Sequence, residues 1–270
     1  MTWLWLNDGL VPADQARIDP ADRGLTLGDG LFETMRVADG RIAHLSRHLD
    51  RLRQGAAILC FPPPDLDRIE DALCQVLRRN DVAHGALRLT LTRGAGPRGL
   101  LPPPRPAPTL LVVPFSAAAS GAAVPPPARV VVSTRITRDA ASPLSRVKSL
   151  NYLPNILARL EAEQRGADDA LLLNAAGRLA ESTISTLLVS CDDGLLTPPL
   201  DDGALPGIAR AVLLARGLAA EAPLTPGDVR AARGALLVNS LSVRPIASLD
   251  GDPLPCPDGL ADRVRAALRD

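Results

Sequence analysis

Val147-Lys148-Ser149-Leu150-Asn151-Tyr152-Leu153 holds the only lysine and the only tyrosine of a 270-residue chain. The other 29 of its 30 Lys and Arg residues are arginine. Arginine stays protonated and is no nucleophile near neutral pH, whereas a desolvated lysine amine sheds its proton and attacks a carbonyl. A lysine that survives such a bias marks a position where a guanidinium cannot do the work. A leftover surface lysine is the alternative, and the residues around this stretch decide between them.

Working outward, a hydrophobic content of 46% with 22% charged residues is that of a soluble globular chain. Its length suits one large or two ordinary domains. Aromatics are 2%, so the core has to rest on Leu, Val, Ile and Ala. The formal net charge is zero with both signs interspersed, which argues against a nucleic-acid partner and a polybasic membrane anchor. Apolar runs such as Leu110–Val113 and Leu171–Leu173 are too short to span a bilayer. The first residues, Met1-Thr2-Trp3-Leu4-Trp5-Leu6, carry no basic lead or cleavage site, and the expected location is the cytoplasm. Cys60, Cys74, Cys191 and Cys256 are scattered, and His44, His48 and His84 have no metal-ligand spacing with them. His44 and His48 fit a solvated or capping role better than a metal site.

Pro114-Phe-Ser-Ala-Ala-Ala-Ser-Gly-Ala-Ala-Val-Pro-Pro-Pro127 is too small and too proline-rich to build a packed element. It predicts an N-terminal domain over residues 1–113, a linker over 114–128 and a larger C-terminal domain over 129–270. In the first part strands are expected at Leu4–Leu6, Leu31–Val37, Leu87–Thr92 and Thr109–Val113, and helices over His44–Leu59 and Asp65–Arg79. In the second, strands are expected at Arg129–Arg135, Ala170–Leu173, Thr186–Ser190 and Ala235–Val238. Helices are expected over Leu153–Arg165, closed by Gly166, and Ile208–Leu218, closed near Gly217. Strands and helices mix without strict βαβ alternation, which predicts an α+β fold in two lobes.

Three further stretches join Lys148. Glu181 follows a hairpin-like turn at Gly177. Leu205-Pro206-Gly207-Ile208-Ala209 puts a glycine at a helix start, where unpaired N–H groups face outward. Asn239-Ser240-Leu241 offers a hydroxyl after a strand. An amine, a carboxylate and an anion cradle are the parts a pyridoxal 5'-phosphate site needs.

In this order the residues resemble the class IV, or fold-type IV, pyridoxal-phosphate enzymes: branched-chain aminotransferases, D-amino-acid aminotransferases and aminodeoxychorismate lyases. Gly28-Asp29-Gly30-Leu31-Phe32-Glu33 resembles the family's GDG-(F/Y)-E segment, and His48-Leu49-Asp50-Arg51-Leu52 its H-x-x-R-L helix. Lys148–Leu153, Ala180-Glu181-Ser182 and Leu205-Pro206-Gly207-Ile208 match its lysine, glutamate and phosphate-turn segments. Thr92-Arg93-Gly94-Ala95-Gly96-Pro97-Arg98 resembles its T-R-G-x-x-x-R stretch.

The resemblance implies a fold-type IV architecture and a homodimer acting on a small amino acid and a 2-oxo acid. It implies that Lys148 carries the cofactor as a Schiff base and shuttles the proton at the substrate Cα. Glu181 would face the pyridine nitrogen, and Leu205 would pack on the ring. Arg51, Ser240, Gly207 and the N–H groups of Ile208 and Ala209 would hold the phosphate. Tyr152 would bond the ring's phenolic oxygen, with core filling as its alternative role. Arg98 is the candidate for the substrate carboxylate, Phe32, Arg36 and Arg88 being further substrate-side candidates. The alternative for Arg98 is that it merely lines a Pro/Gly-rich loop. Phe32 and Leu100 depart from the tyrosine and histidine usual in D-amino-acid aminotransferases. Arg98-Gly99-Leu100 leans toward the lyases, whereas Tyr152 leans toward the aminotransferases. Transamination is the leading expectation, release of pyruvate and 4-aminobenzoate from aminodeoxychorismate the alternative, and a cofactor-binding protein without turnover the third.

Overall fold

The computed structural model describes residues 1–116, 125–192 and 194–269. It forms two compact units, Met1–Ala123 with Val147–Asn151, and Val124–Arg146 with Tyr152–Asp270.

The first unit runs β1 (Trp3–Leu6), β2 (Gly9–Pro12), α1 (Arg23–Leu27), β3 (Gly30–Ala38), β4 (Arg41–Ile42), α2 (Leu45–Ile58), α3 (Leu66–Asn80), β5 (Gly85–Thr92) and β6 (Thr109–Ser116). Its strands form an antiparallel sheet in the order β2-β1-β6-β5-β3-β4. The two-residue period of β3 and β5 puts Leu31, Met35 and Val37 with Leu87, Leu89 and Leu91 in the core. Leu49, Leu52 and Ala56 of α2 and Ile69, Leu73 and Val76 of α3 complete it. A fully buried leucine such as Leu73 or Leu87 contributes roughly 1.5–3 kcal/mol over its exposed state.

The second unit runs β7 (Ala128–Arg138), α4 (Leu153–Gln164), β8 (Asp169–Asn174), β9 (Leu179–Ser182), β10 (Thr186–Cys191), β11 (Gly194–Thr197), α5 (Ile208–Ala215), β12 (Ala219–Glu221), α6 (Pro226–Arg230), β13 (Gly234–Val238), β14 (Val243–Leu249), β15 (Asp252–Pro253) and α7 (Leu260–Ala267). The sheet order is β12-β11-β10-β13-β14-β7-β8-β9, with β15 beside β14. Pairs β14–β7, β7–β8 and β11–β12 are parallel and the others antiparallel. Val130-Val131 and Ala170-Leu171-Leu172 are buried throughout because both sheet faces are covered there. Val131, Ala170 and Leu172 pack on Ala158 and Ala162 of α4, while Val130 and Leu171 belong to the core on the other side.

The division at 114–128 needs two corrections. β6 continues through Pro114 and Phe115 to Ser116, because it stays paired with β5 out to Gly85. Pro114 is tolerated since β6 pairs with β1 only at Leu111 and Val112, so no ladder there needs its missing N–H. Val147–Asn151 belongs to the first unit although it follows β7 in sequence. Residues 117–124, the middle of the expected linker, lie outside the described residues. β14 is a strand beyond those expected, and it contains Pro245. That residue stands opposite Leu236 of β13, just before pairing with β7 begins at Ile246.

β7 does not pair evenly with β8, its register shifting between Val132 and Thr137. Glu161 of α4 accepts bonds there from Ser133 Oγ (2.6 Å), Thr134 N (2.9 Å) and Thr134 Oγ1 (2.8 Å). Desolvation opposes its charge, but these donors outweigh it and hold the carboxyl at about 2. Arg138 is the last residue of this offset strand.

Candidate active site

In the first unit the lysine segment lies along the start of β3. Phe32 N donates to Lys148 O (3.0 Å), Leu150 N donates to Gly30 O (3.0 Å), and Leu31 bridges Ser149. Such close approach explains the glycines of Gly28-Asp29-Gly30. A Cβ on Gly30 would meet Leu150 Cδ1 at 2.7 Å and Leu91 O at 2.9 Å. Gly28 has φ +66 and would meet Asn151 Oδ1 at 2.7 Å, while Asn151 Nδ2 donates to Gly28 O.

Lys148 is half-buried, with Nζ 4.4 Å from the centre of the Phe32 ring. Arg88 lies over the same ring at 4.0 Å. The pairing of Phe32 with Thr90 and of Thr34 with Arg88 sets Phe32, Arg36 and Arg88 on one face of β3 and β5. The structure thus groups Lys148, Phe32 and Arg88, with Arg36 on the same sheet face.

Arg51 has a partner that the sequence did not reveal. Glu33 occupies a core-facing position of β3 and is 2% exposed. Arg51 donates from Nε to its Oε1 (2.8 Å) and from a terminal nitrogen to its Oε2 (2.5 Å). His48 Nδ1 lies 2.6 Å from Oε2. His48 and Arg51 are three apart on α2 and share its inner face. Desolvation of Glu33 opposes its charge, yet Arg51 and His48 hold its carboxyl at about 2. Burial outweighs the Glu33 carboxylate at His48 and keeps its ring below the usual histidine range. The expected solvated or capping role of His48 is therefore corrected: it is buried on a carboxylate. His44 occupies the N-cap of α2 without a side-chain capping bond.

Arg98 is exposed in the connection between β5 and β6. The residues after it are anchored by Arg23, which donates to Gly99 O (3.0 Å) and Leu100 O (2.7 Å). Asp29 accepts from both Arg23 and Arg93, and although burial opposes it, the two guanidiniums lower its carboxyl.

In the second unit Glu181 lies on β9, opposite Leu172, after the Asn174–Arg178 turn. That turn is closed by Asn174 Oδ1, which accepts from Ala176 N and Arg178 N. Glu181 is buried, and both of its oxygens are engaged: Oε1 pairs with Arg138 (3.0 Å), and Oε2 accepts from Leu205 N (3.0 Å). Leu205 leads through Pro206 and Gly207 into α5. A Cβ on Gly207 would meet Thr186 Oγ1 at 2.8 Å, so glycine lets the helix start sit against β10 without displacing that side chain.

Ile208 and Ala209 are buried, and among the described residues their N–H groups find no acceptor. Buried amide donors of this kind, at the positive end of a helix, fit the phosphate ester of pyridoxal phosphate. Ser240 is half-buried in the β13–β14 turn, which Asn239 Oδ1 shapes by accepting from Leu241 N and Ser242 N. Tyr152 is the half-buried N-cap of α4.

Sequence reasoning missed Glu33, Arg138 and Arg23 as parts of these arrangements. Glu33 alone had a readable signal, a carboxylate in the core register of an alternating strand. Among the described residues no helix is long and apolar enough to cross a membrane.

The buried Glu181 thus holds Leu205 N just ahead of α5, and the Lys148 segment lies along the glycine-framed start of β3. The model of the family described as amino-transferase class IV matches residues 30–249, and the chain belongs to that pyridoxal-phosphate-dependent family. It is 32% identical over 255 residues to a putative branched-chain-amino-acid aminotransferase of Methanocaldococcus jannaschii, covering 92% of this chain and 88% of the relative. It is 31% identical over 256 residues to a D-alanine aminotransferase of Listeria monocytogenes, covering 91% and 87%. Among solved structures, a putative 4-amino-4-deoxychorismate lyase of Legionella pneumophila superposes with a TM-score of 0.86 at 30% identity, covering 95% and 96%. The α+β architecture is that of the fold-type IV enzymes.

Proposed function

We propose that the protein is a pyridoxal-phosphate transaminase that exchanges an amino group between an amino acid and a 2-oxo acid. The observation that carries this reading is the buried pairing of Glu181 with Leu205 N, three and four residues before the unpaired amides of Ile208 and Ala209. When bound, the cofactor supplies a protonated pyridine ring that accepts the electron pair released at the substrate Cα. Lys148 provides the amine that holds the cofactor covalently and afterwards moves the Cα proton. Glu181 keeps the proton on the ring nitrogen, and Leu205 packs on the ring. The N–H groups of Ile208 and Ala209, with Ser240, Gly207 and Arg51, hold the phosphate. Arg51 brings a guanidinium already compensated by Glu33, so the helix-start amides carry a larger share of that work. Tyr152 bonds the phenolic oxygen.

On the substrate side, Phe32, Arg36 and Arg88 line the sheet face next to Lys148, and Arg98 is the carboxylate ligand from the β5–β6 connection. The second reading, elimination of pyruvate from aminodeoxychorismate, is favoured by Arg98-Gly99-Leu100 and by the likeness to the Legionella lyase. Relatives named for branched-chain and for D-alanine substrates leave the handedness of the donor to experiment.

The test is the absorption spectrum of the purified protein with pyridoxal phosphate and a panel of L- and D-amino acids. Conversion of the bound cofactor to its pyridoxamine form by one donor supports transamination and gives its handedness. A bound cofactor that no amino acid converts, with pyruvate released from aminodeoxychorismate, replaces this reading with the lyase. We further propose a cytoplasmic homodimer on the family resemblance, and a monomeric mass by sedimentation would remove the dimer.

A further inference from the structure

Arg138 donates to two separate stretches of the second unit and forms an ion pair with a third. Nε donates to Gly203 O (3.0 Å), and a terminal nitrogen donates to Ser145 O (3.0 Å) and pairs with Glu181 Oε1 (3.0 Å). Gly203 ends the turn Leu200–Asp202 and lies two residues before Leu205, whose N–H holds the second oxygen of Glu181. Ser145 belongs to the turn Pro143–Arg146. The residue at 203 must be small and left-handed: φ is +96, and a Cβ there would lie 3.3 Å from Ala140 Cα and 3.4 Å from Arg138 Cβ.

We propose that Arg138 is a positioning residue that locks Glu181 against the turn leading into α5, and so fixes together the carboxylate and the anion-binding amides that hold the cofactor. The inference rests on the pyridoxal phosphate reading above. A carboxylate with Oε1 on a guanidinium and Oε2 on a backbone amide cannot swing, and its remaining lone pairs keep one direction. Only arginine suits the place. Its planar fork serves acceptors in several directions at once, whereas a lysine ammonium on a flexible stem reaches one or two of them without fixing their angle. The Glu161-filled offset of β7 is what ends that strand with Arg138 at these acceptors. The partners of this guanidinium are protein groups, and its role is to act through Glu181 and the 203–205 backbone.

The experiment uses the full chain as wild type, Arg138→Met and Arg138→Lys. Far-ultraviolet circular dichroism and thermal melting of the cofactor-free proteins establish folding first. Equilibrium dialysis then gives the dissociation constant of pyridoxal phosphate, and nitrogen-15 NMR of ring-labelled cofactor reports whether the pyridine nitrogen is protonated. The expected result is a dissociation constant raised about tenfold or more in the methionine variant, with a smaller rise in the lysine variant. The nitrogen resonance should shift toward its unprotonated position in the methionine variant. A folded methionine variant that binds within about twofold of wild type, with an unmoved resonance, overturns the inference. Should the methionine variant not fold, the lysine variant carries the same test, and unchanged binding and resonance in it overturn the inference equally. If wild type itself fails to bind pyridoxal phosphate, the cofactor reading falls and this inference with it. Equal binding by all three proteins removes the inference alone.

Discussion

Replacing Glu33 by Gln should destabilise the first unit more than almost any other single isosteric change. The carboxylate accepts from Arg51 Nε and a terminal nitrogen and from His48 Nδ1 at 2.5–2.8 Å, with 2% of its surface exposed. Removing one member of a buried ion pair leaves the other charge uncompensated and costs about 3–5 kcal/mol. Proton linkage gives a similar size. A carboxyl held at about 2 against an ordinary 4.5 stores about 3 kcal/mol at neutral pH.

The contribution of this depressed carboxyl is complete above its unfolded value and is lost as pH falls toward its folded one, from about 4.5 to about 2. His48 acts in the same direction. Its ring is held below the ordinary 6.5, so the unfolded chain takes up that proton first and stability starts to fall below about pH 6.5. Urea unfolding of wild type and Glu33→Gln at pH 7 should differ by the full amount, and the gap should close toward pH 2. Adding Arg51→Met to Glu33→Gln removes the stranded charge and should restore about 1–3 kcal/mol. A single variant within about 1 kcal/mol of wild type at pH 7, or a gap that does not change with pH, would refute the reasoning.

Gly207→Ala should cost about 1–3 kcal/mol, because its Cβ meets Thr186 Oγ1 at 2.8 Å, and Thr186→Ala in the same chain should recover much of it on thermal melting. Glu161→Ala strands the Ser133 hydroxyl and the Thr134 amide and should cost about 2–4 kcal/mol in urea unfolding. Arg98→Ala should raise KM for the carboxylate substrate about 10- to 100-fold with a smaller change in kcat, and an unchanged KM would remove Arg98 from the substrate set.

Much of the fold was legible because its signals are local. The alternation in β3 and β5, the apolar stripes of α2 and α3, and Gly166 after α4 each sit within a short window. What escaped was set by pairing at a distance. β14 holds a proline that only its place between β13 and β7 excuses, and Val147–Asn151 joins the first unit through bonds to Gly30 and Phe32. The same holds for the candidate site. Lys148, Glu181 and Gly207 were visible as residue types in a recognisable order. Arg138 and Arg23 were two among 29 arginines, and their acceptors, backbone carbonyls 65 and 76 residues away, leave no mark in sequence.

The most direct test of Lys148 as the cofactor lysine exploits its solitude. The protein, incubated with pyridoxal phosphate and reduced with borohydride, is digested and mapped by mass spectrometry. The expected result is one stable pyridoxyl adduct on the peptide containing Lys148, absent from a Lys148→Ala variant. Wild-type protein that gives no adduct at Lys148, or carries it only on the terminal amine, would contradict the assignment of this lysine and of the chemistry built on it.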